Sequence, residues 1–175
     1  MHLAKRIYTY TDIDNLPPGS YEIIDGKRLS MSPAGFQHGL LEARFARFLD
    51  EHLPQEGWAS VGEVGIILRR YPLRLRAADV VYVSKQTSPE RPVKILEFPP
   101  DLVVEILSQE NDVAYVNEKT QDYIKFGIPW IVLVDPDNEI VKVHQPGQAF
   151  PRQYTFADEF EIMNGLRLCV NELLK

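Results

Sequence analysis

Three short runs, VVYV at 80–83, LVVEIL at 102–107 and WIVLV at 130–134, carry β-branched and other apolar residues with no polar alternation. A strand with one wet face alternates, and a strand that does not alternate is covered on both faces. The chain is therefore committed to a sheet with layers packed above and below it, and these runs are its inner strands. One ionisable residue interrupts them. Glu105 stands between Val104 and Ile106, and a buried carboxylate is tolerated only when protonated, paired or bound to a cation.

The flanking segments supply the rest of the architecture. TYTDIDNLPPG reads as a short helix with a Pro-Pro-Gly breaker, and Asp25-Gly26 reads as the turn of a hairpin joining 21–24 to 27–31. Phe36, Leu40, Leu41, Phe45, Phe48 and Leu49 fall at helical spacing over about residues 35–53, with Pro54 and Gly57 beyond. WASVGEVGIILRR gives two strands, or one strand with a bulge, and ADVVYVS gives another. Four prolines make 85–100 a loop. A second helix is predicted from Asn111, its N-cap, to Gly127, with Pro129 following. WIVLVDPDNEIVKVHQ closes as a hairpin around 135–138, and the aromatic tail covers one face of the sheet. The order β-β-α-β-β-β-β-α-β-β is an α/β (α+β) fold, a mixed central sheet flanked by two principal helices. With 175 residues and no repeat or long linker, a single domain over 1–175 is expected.

Composition narrows the function. A net charge of −6 and a pI near 5.2 oppose a protein that coats nucleic acid with its whole surface. The charge is uneven, however: between Val64 and Lys94 seven Arg or Lys residues face only Asp79 and Glu90, a surplus of five. That stretch is either a phosphate-facing patch or a solvated strand edge protected from aggregation. The lone Cys169 makes neither an internal disulfide nor a zinc site. No apolar run approaches the roughly 20 residues that span a bilayer, and MHLAKRIYTYTD lacks the apolar core of a secretory signal, so a cytoplasmic location without a membrane partner is expected.

Alternation along its strand places Asp101, Val103, Glu105 and Leu107 on one face. Asp101 is roughly 13 Å from Glu105 at ~3.3 Å per residue, too far to share an ion. Asp79, at the head of VVYV, is a better partner if the two strands are neighbours. Two converging carboxylates suit a hard divalent cation, Mg2+ or Mn2+, and the carbonyl of Ile106 would add a ligand. The alternative is an Arg or Lys that neutralises Glu105 and does no chemistry. Lys119 lies on a helix face with Tyr115, Tyr123 and Phe126, where it either leans over the strand end or lies along the tyrosine rings. His38 and Glu42, four apart on the first long helix, can point together, but without a third nitrogen or sulfur ligand they argue against zinc.

The ordered set YEIIDG, SP followed by His38, ADVVYVS, PPDLVVEILS, Lys119 with Tyr123 and Gly127, and PWIVLVDP resembles the Uma-type restriction endonuclease family of the PD-(D/E)XK nuclease superfamily, from about Tyr21 to Val143. The resemblance implies a restriction-endonuclease-like core and a Mg2+- or Mn2+-dependent endonuclease that hydrolyses DNA phosphodiester bonds. It makes Asp79 and Glu105 the two acidic positions of the motif and Glu22 the hairpin glutamate. Two departures stand out: Ala78 replaces the proline before the first acid, and Leu107 occupies the position of the motif lysine, so that role passes to Lys119. On this reading Asp79, Glu105, Lys119 and Glu22 are catalytic, and Asp79, Glu105 and Ile106 hold the metal. Arg69, Arg70, Arg74, Arg76 and His38 would meet the substrate. Its rivals are a non-catalytic DNA- or protein-binding module that retains the nuclease fold, and a homodimeric assembly protein whose acidic cluster binds calcium or nothing. An acidic chain with one modest basic face would need dimerisation or another subunit to hold a duplex.

Overall fold

The computed structural model describes residues 6–53, 55–108 and 112–175. After a 3-10 helix at Tyr10–Asn15, strands β1 (Tyr21–Ile24) and β2 (Lys27–Ser30) form the expected hairpin. Asp25 and Gly26 both take positive φ, 51° and 78°, the mirror-image turn whose twist matches that of the strands it joins. Helix α1 (Phe36–His52) buries Leu41, Phe45 and Leu49. There follow β3 (Gly57–Arg69), β4 (Arg74–Ser84), β5 (Leu102–Ile106), α2 (Val113–Phe126), β6 (Trp130–Asp135) and β7 (Ile140–His144). The tail forms β8 (Arg152–Thr155), β9 (Phe160–Met163), β10 (Leu166–Leu168) and one helical turn, α3 (Val170–Leu173).

The main sheet runs β2-β1-β4-β5-β6-β7-β8, with β3 paired to the other edge of β4. β5 and β6 are parallel and joined through α2, while the other pairs are antiparallel, so the sheet is mixed. β4, β5 and β6 are the three uninterrupted apolar runs, and each is buried on both faces. On one face, Leu41, Phe45 and Leu49 of α1 pack with Val80, Val104, Val132 and the tail residues Phe160 and Ile162. On the other, Tyr123 of α2 packs with Val81, Val103 and Ile131.

Three local expectations are adjusted. WASVGEVGIILRR is one strand, because Gly62 and Glu63 adopt φ of 88° and 60° and form a bulge that shifts the register between Val61 and Val64. Three strands, not four, therefore separate the helices. The tail does more than cover a face: β8 extends the sheet beside β7, and the β9–β10 hairpin joins the core under α1. Asn111 and Pro54 lie outside the described residues; the N-cap of α2 is Asp112, whose side chain accepts the Ala114 N–H at 3.1 Å. Gly127, at φ 95°, ends that helix in the left-handed conformation that glycine adopts without steric cost.

β4 makes the site possible. Its first edge is paired along β3, but its second is divided: Leu75 pairs with Ile23 of β1, and the ladder resumes only where Val80 meets Val104 of β5. The sheet forks between Leu75 and Val80. Backbone groups inside the fork require other partners, and side chains supply them. Glu22 Oε1 accepts the Ala77 N–H at 3.2 Å, and Lys119 Nζ donates to the Ala77 carbonyl at 2.8 Å.

Candidate active site

Asp79 lies in the fork and opposite the β3 bulge, since Val61 pairs with Val80 and the next pair is Val64 with Ala78. Bulges redirect a neighbouring side chain in this way. The Asp79 carboxylate reaches across to β5, where Oδ2 accepts the Ile106 N–H at 2.7 Å. Its Oδ1 lies 3.4 Å from His38 Nε2, which is 3.0 Å from Glu42 Oε1. His38 and Glu42 meet there because positions four apart share a helix face. One ligand atom from each of His38, Glu42 and Asp79 lies within 4.8 Å of the others. The hydrogen bond to Asp79 raises the His38 pKa against the opposing effect of burial, and burial followed by the Asp79 charge raises that of Glu42.

Beside this triad, Glu105 is 6% exposed and both of its oxygens are engaged: Lys119 Nζ donates to Oε2 and Tyr123 OH to Oε1, each at 2.6 Å. Lys119 also faces Glu22 Oε1 at 3.3 Å. With Ala77 O it thus has three acceptors for three N–H donors. Burial opposes its charge, but Glu105 and Glu22 outweigh that and raise its pKa. Burial, reinforced by Asp79, pushes the Glu105 carboxyl up to about 8 despite Lys119.

A glutamate in an unfolded chain titrates near about 4.3, so across the window up to about 8 the native protein retains a proton that the unfolded chain has lost. Stability should therefore fall as pH rises through that window. Denaturation midpoints for wild type and Glu105→Gln, measured from acid to mildly alkaline pH, should diverge, with the glutamine variant giving the flatter curve. Parallel curves would refute the assignment.

A second layer holds the first. Glu22 and Arg76 are both 0% exposed, with Arg76 Nη1 2.6 Å from Glu22 Oε2. Arg76 Nε donates to Asp122 Oδ2 at 2.8 Å, and Arg74 Nε donates to the same oxygen at 2.7 Å. Arg74 also pairs with Glu118, Arg69 with Asp25, and Arg70 with Glu97 at 2.6 Å.

The structure thus gathers Asp79, Glu105, Lys119, Glu22, His38 and Ile106 around one fork; Arg76 lies in the same fork, bound to Glu22, and Arg69, Arg70 and Arg74 pair with other carboxylates. Arg76 corrects the expectation of a phosphate contact, because its guanidinium is enclosed among carboxylates. Ile106 meets Asp79 through its N–H. Asp101 serves the β4 end, accepting from Ser84 N–H at 2.6 Å and Thr87 Oγ1 at 2.8 Å. Sequence reasoning did not join Glu42 and His38 to Asp79, nor Asp122 to Arg76, since both contacts depend on how the fork aims its side chains. Tyr123 had a local signal, its i+4 spacing from Lys119.

Asp79, Glu105, Lys119 and the His38–Glu42 pair border a cleft of about 870 Å3, also lined by the segment from Leu29 to Gly35 and by residues of α2. An imidazole nitrogen and two carboxylate oxygens at this spacing fit a divalent cation, and the imidazole suits Mn2+ better than Mg2+.

The family model Uma2, described as a putative restriction endonuclease, matches residues 8–169. A crystal structure of a putative nuclease belonging to DUF820 from Anabaena variabilis superposes with a TM-score of 0.79 at 18% identity, covering 95% of this chain and 97% of that one. The restriction-endonuclease-like fold is shared. None of the curated proteins compared matches the chain. Among the described residues, no helix is long and apolar enough to cross a membrane.

Proposed function

Because the chain belongs to the Uma2 family of restriction-endonuclease-like proteins, we propose that its forked site hydrolyses DNA phosphodiester bonds with a divalent cation. The observation that carries this reading is the triad His38, Glu42 and Asp79, drawn within 4.8 Å beside the buried Glu105–Lys119 pair. His38 Nε2, a Glu42 oxygen and Asp79 Oδ1 would hold the cation. When bound, it supplies Lewis-acid polarisation of the scissile phosphoryl group and a lowered pKa for a coordinated water.

The chain's own groups do the rest. Glu105, its carboxyl pushed up to about 8 by burial, is matched to accept a proton from the attacking water at mildly alkaline pH, where it has lost its own. Tyr123 and Lys119 fix both of its oxygens. Lys119 holds a permanent positive charge at the base of the cleft, which offsets charge developing on the phosphoryl oxygens. Glu22 retains that lysine and ties the β1–β2 hairpin to Arg76, so it acts behind the reacting groups. In this reading a cation held by His38 and Glu42 with Asp79 takes the place of the expected set of Asp79, Glu105 and Ile106, since the Lys119 ammonium 2.6 Å from Glu105 opposes a second positive charge there and Ile106 meets Asp79 through its N–H.

Calorimetric titration of Mn2+ into wild type and His38→Ala, beside a cleavage assay with Mn2+ and with chelator, tests this reading. Saturable binding lost in His38→Ala, with cleavage abolished by chelator, is expected. Binding that survives His38→Ala would return the cation to Asp79 and Glu105. No binding and no cleavage would favour the non-catalytic module.

A further inference from the structure

The charge balance and walls of the cleft point to a more specific substrate than DNA in general. Glu42, Glu63, Asp79 and Asp112 line it, with a Glu105 that keeps its proton up to pH about 8, against Lys119 and His38. Lys119 is 5% exposed with its donors already used. The arginines that might have tracked a phosphate backbone are committed elsewhere, Arg69 to Asp25, Arg70 to Glu97, Arg74 and Arg76 to Asp122. A duplex presents one phosphate charge per ~1.7 Å of axis, whereas a single strand presents one per ~3.4 Å. An acidic cleft therefore repels a duplex more strongly, and the four arginines at 69–76 do not compensate.

The walls offer something else. Leu29, Met31 and Pro33 from the segment after β1, Tyr115 and Val116 from α2, and Leu107 after β5 give the cleft an apolar and aromatic share of its lining. Leu29 remains 43% exposed. In a duplex the base faces are hidden in the stack; in an unpaired strand they are free to lie on apolar and aromatic side chains, a contact that tolerates any sequence. Lys27, exposed on β2 and on the same strand face as Leu29 two residues on, is the nearest exposed cation in sequence to the cleft lining, whereas Arg28 faces the other way and stacks on Tyr21.

We propose that this cleft takes an unpaired DNA strand, with Leu29, Met31, Tyr115 and Val116 of its lining in contact with the nucleotides next to the scissile phosphate. The proposal rests on the hydrolytic reading above and specifies its substrate. Duplex DNA would have to be opened before it could be cut.

The test uses the full chain with Mn2+ and one labelled oligonucleotide, supplied as a single strand and as a blunt duplex. The variants Leu29→Ser and Met31→Ala are assayed in parallel, with Mn2+ titration as a second readout. Faster cleavage of the single strand is expected, with a shallow dependence of its KM on salt. KM should rise about fivefold in each variant, the loss of roughly one buried apolar contact, while Mn2+ affinity is unchanged. Equal or faster duplex cleavage, or variants indistinguishable from wild type, would overturn the proposal and leave hydrolysis standing. Absence of both Mn2+ binding and cleavage would overturn the two together.

Discussion

Asp79→Asn should remove Mn2+-dependent cleavage while leaving a folded protein. The amide keeps an acceptor for the Ile106 N–H, now held at 2.7 Å by Oδ2, so the β4–β5 junction retains its backbone partner. What it loses is the negative charge that faces His38 at 3.4 Å and completes the triad with Glu42. Loss of a residue that only orients a metal ligand costs roughly 10–100-fold in affinity or activity; loss of a ligand that also contributes charge should exceed that range. Asparagine should further lower the His38 pKa, since the Asp79 hydrogen bond is the largest influence raising it. Cleavage rates, thermal unfolding and an NMR titration of His38 check the three consequences separately. A variant that still cleaves within tenfold of wild type would exclude the triad as the metal site.

The inner strands were legible in the sequence because their burial is written in composition: VVYV, LVVEIL and WIVLV leave no polar face to expose. The adjacency of the strands that carry Asp79 and Glu105 was legible to the same extent, because consecutive strands tend to neighbour one another. The fork was not. It arises because β1 and β5 share one edge of β4, a long-range arrangement with no local signature, and it decides which side chains converge. Lys119 could be placed near Glu105 from its helix face, but the sequence could not show that Glu22 would share it. The bulge at Gly62-Glu63 was open between two readings, since a glycine inside a strand pattern marks either a bulge or a break. The arginines illustrate the opposite limit. A local surplus of positive charge in RRYPLRLR suggested a phosphate surface, yet partners distant in sequence, Asp25, Glu97, Glu118 and Asp122, neutralise it. Charge counted along the chain says little about charge exposed in the fold.

Arg76 carries the largest expected effect on stability. Its guanidinium is fully buried, 2.6 Å from Glu22 Oε2 and from Asp122 Oδ2, and 5.5 Å from the centre of the Tyr115 ring. Arg76→Met preserves much of the volume and removes the charge, leaving Glu22 with Lys119 at 3.3 Å as its remaining cation and Asp122 with Arg74 at 2.7 Å. Breaking one side of a buried ion pair costs about 3–5 kcal/mol, a large part of the roughly 5–15 kcal/mol that holds an ordinary domain together. Denaturant unfolding should register that loss directly. The companion variant Arg76→Met with Glu22→Gln distinguishes a lost charge balance from simple loss of packing: with the facing carboxylate neutralised, the double variant should recover stability relative to Arg76→Met. Had Arg76 been a phosphate contact, the single variant would keep its stability and lose only substrate affinity. A double variant no more stable than Arg76→Met would show that the arginine is needed for its shape, and that Glu22 tolerates burial through Lys119, the Ala77 N–H and the Tyr115 hydroxyl.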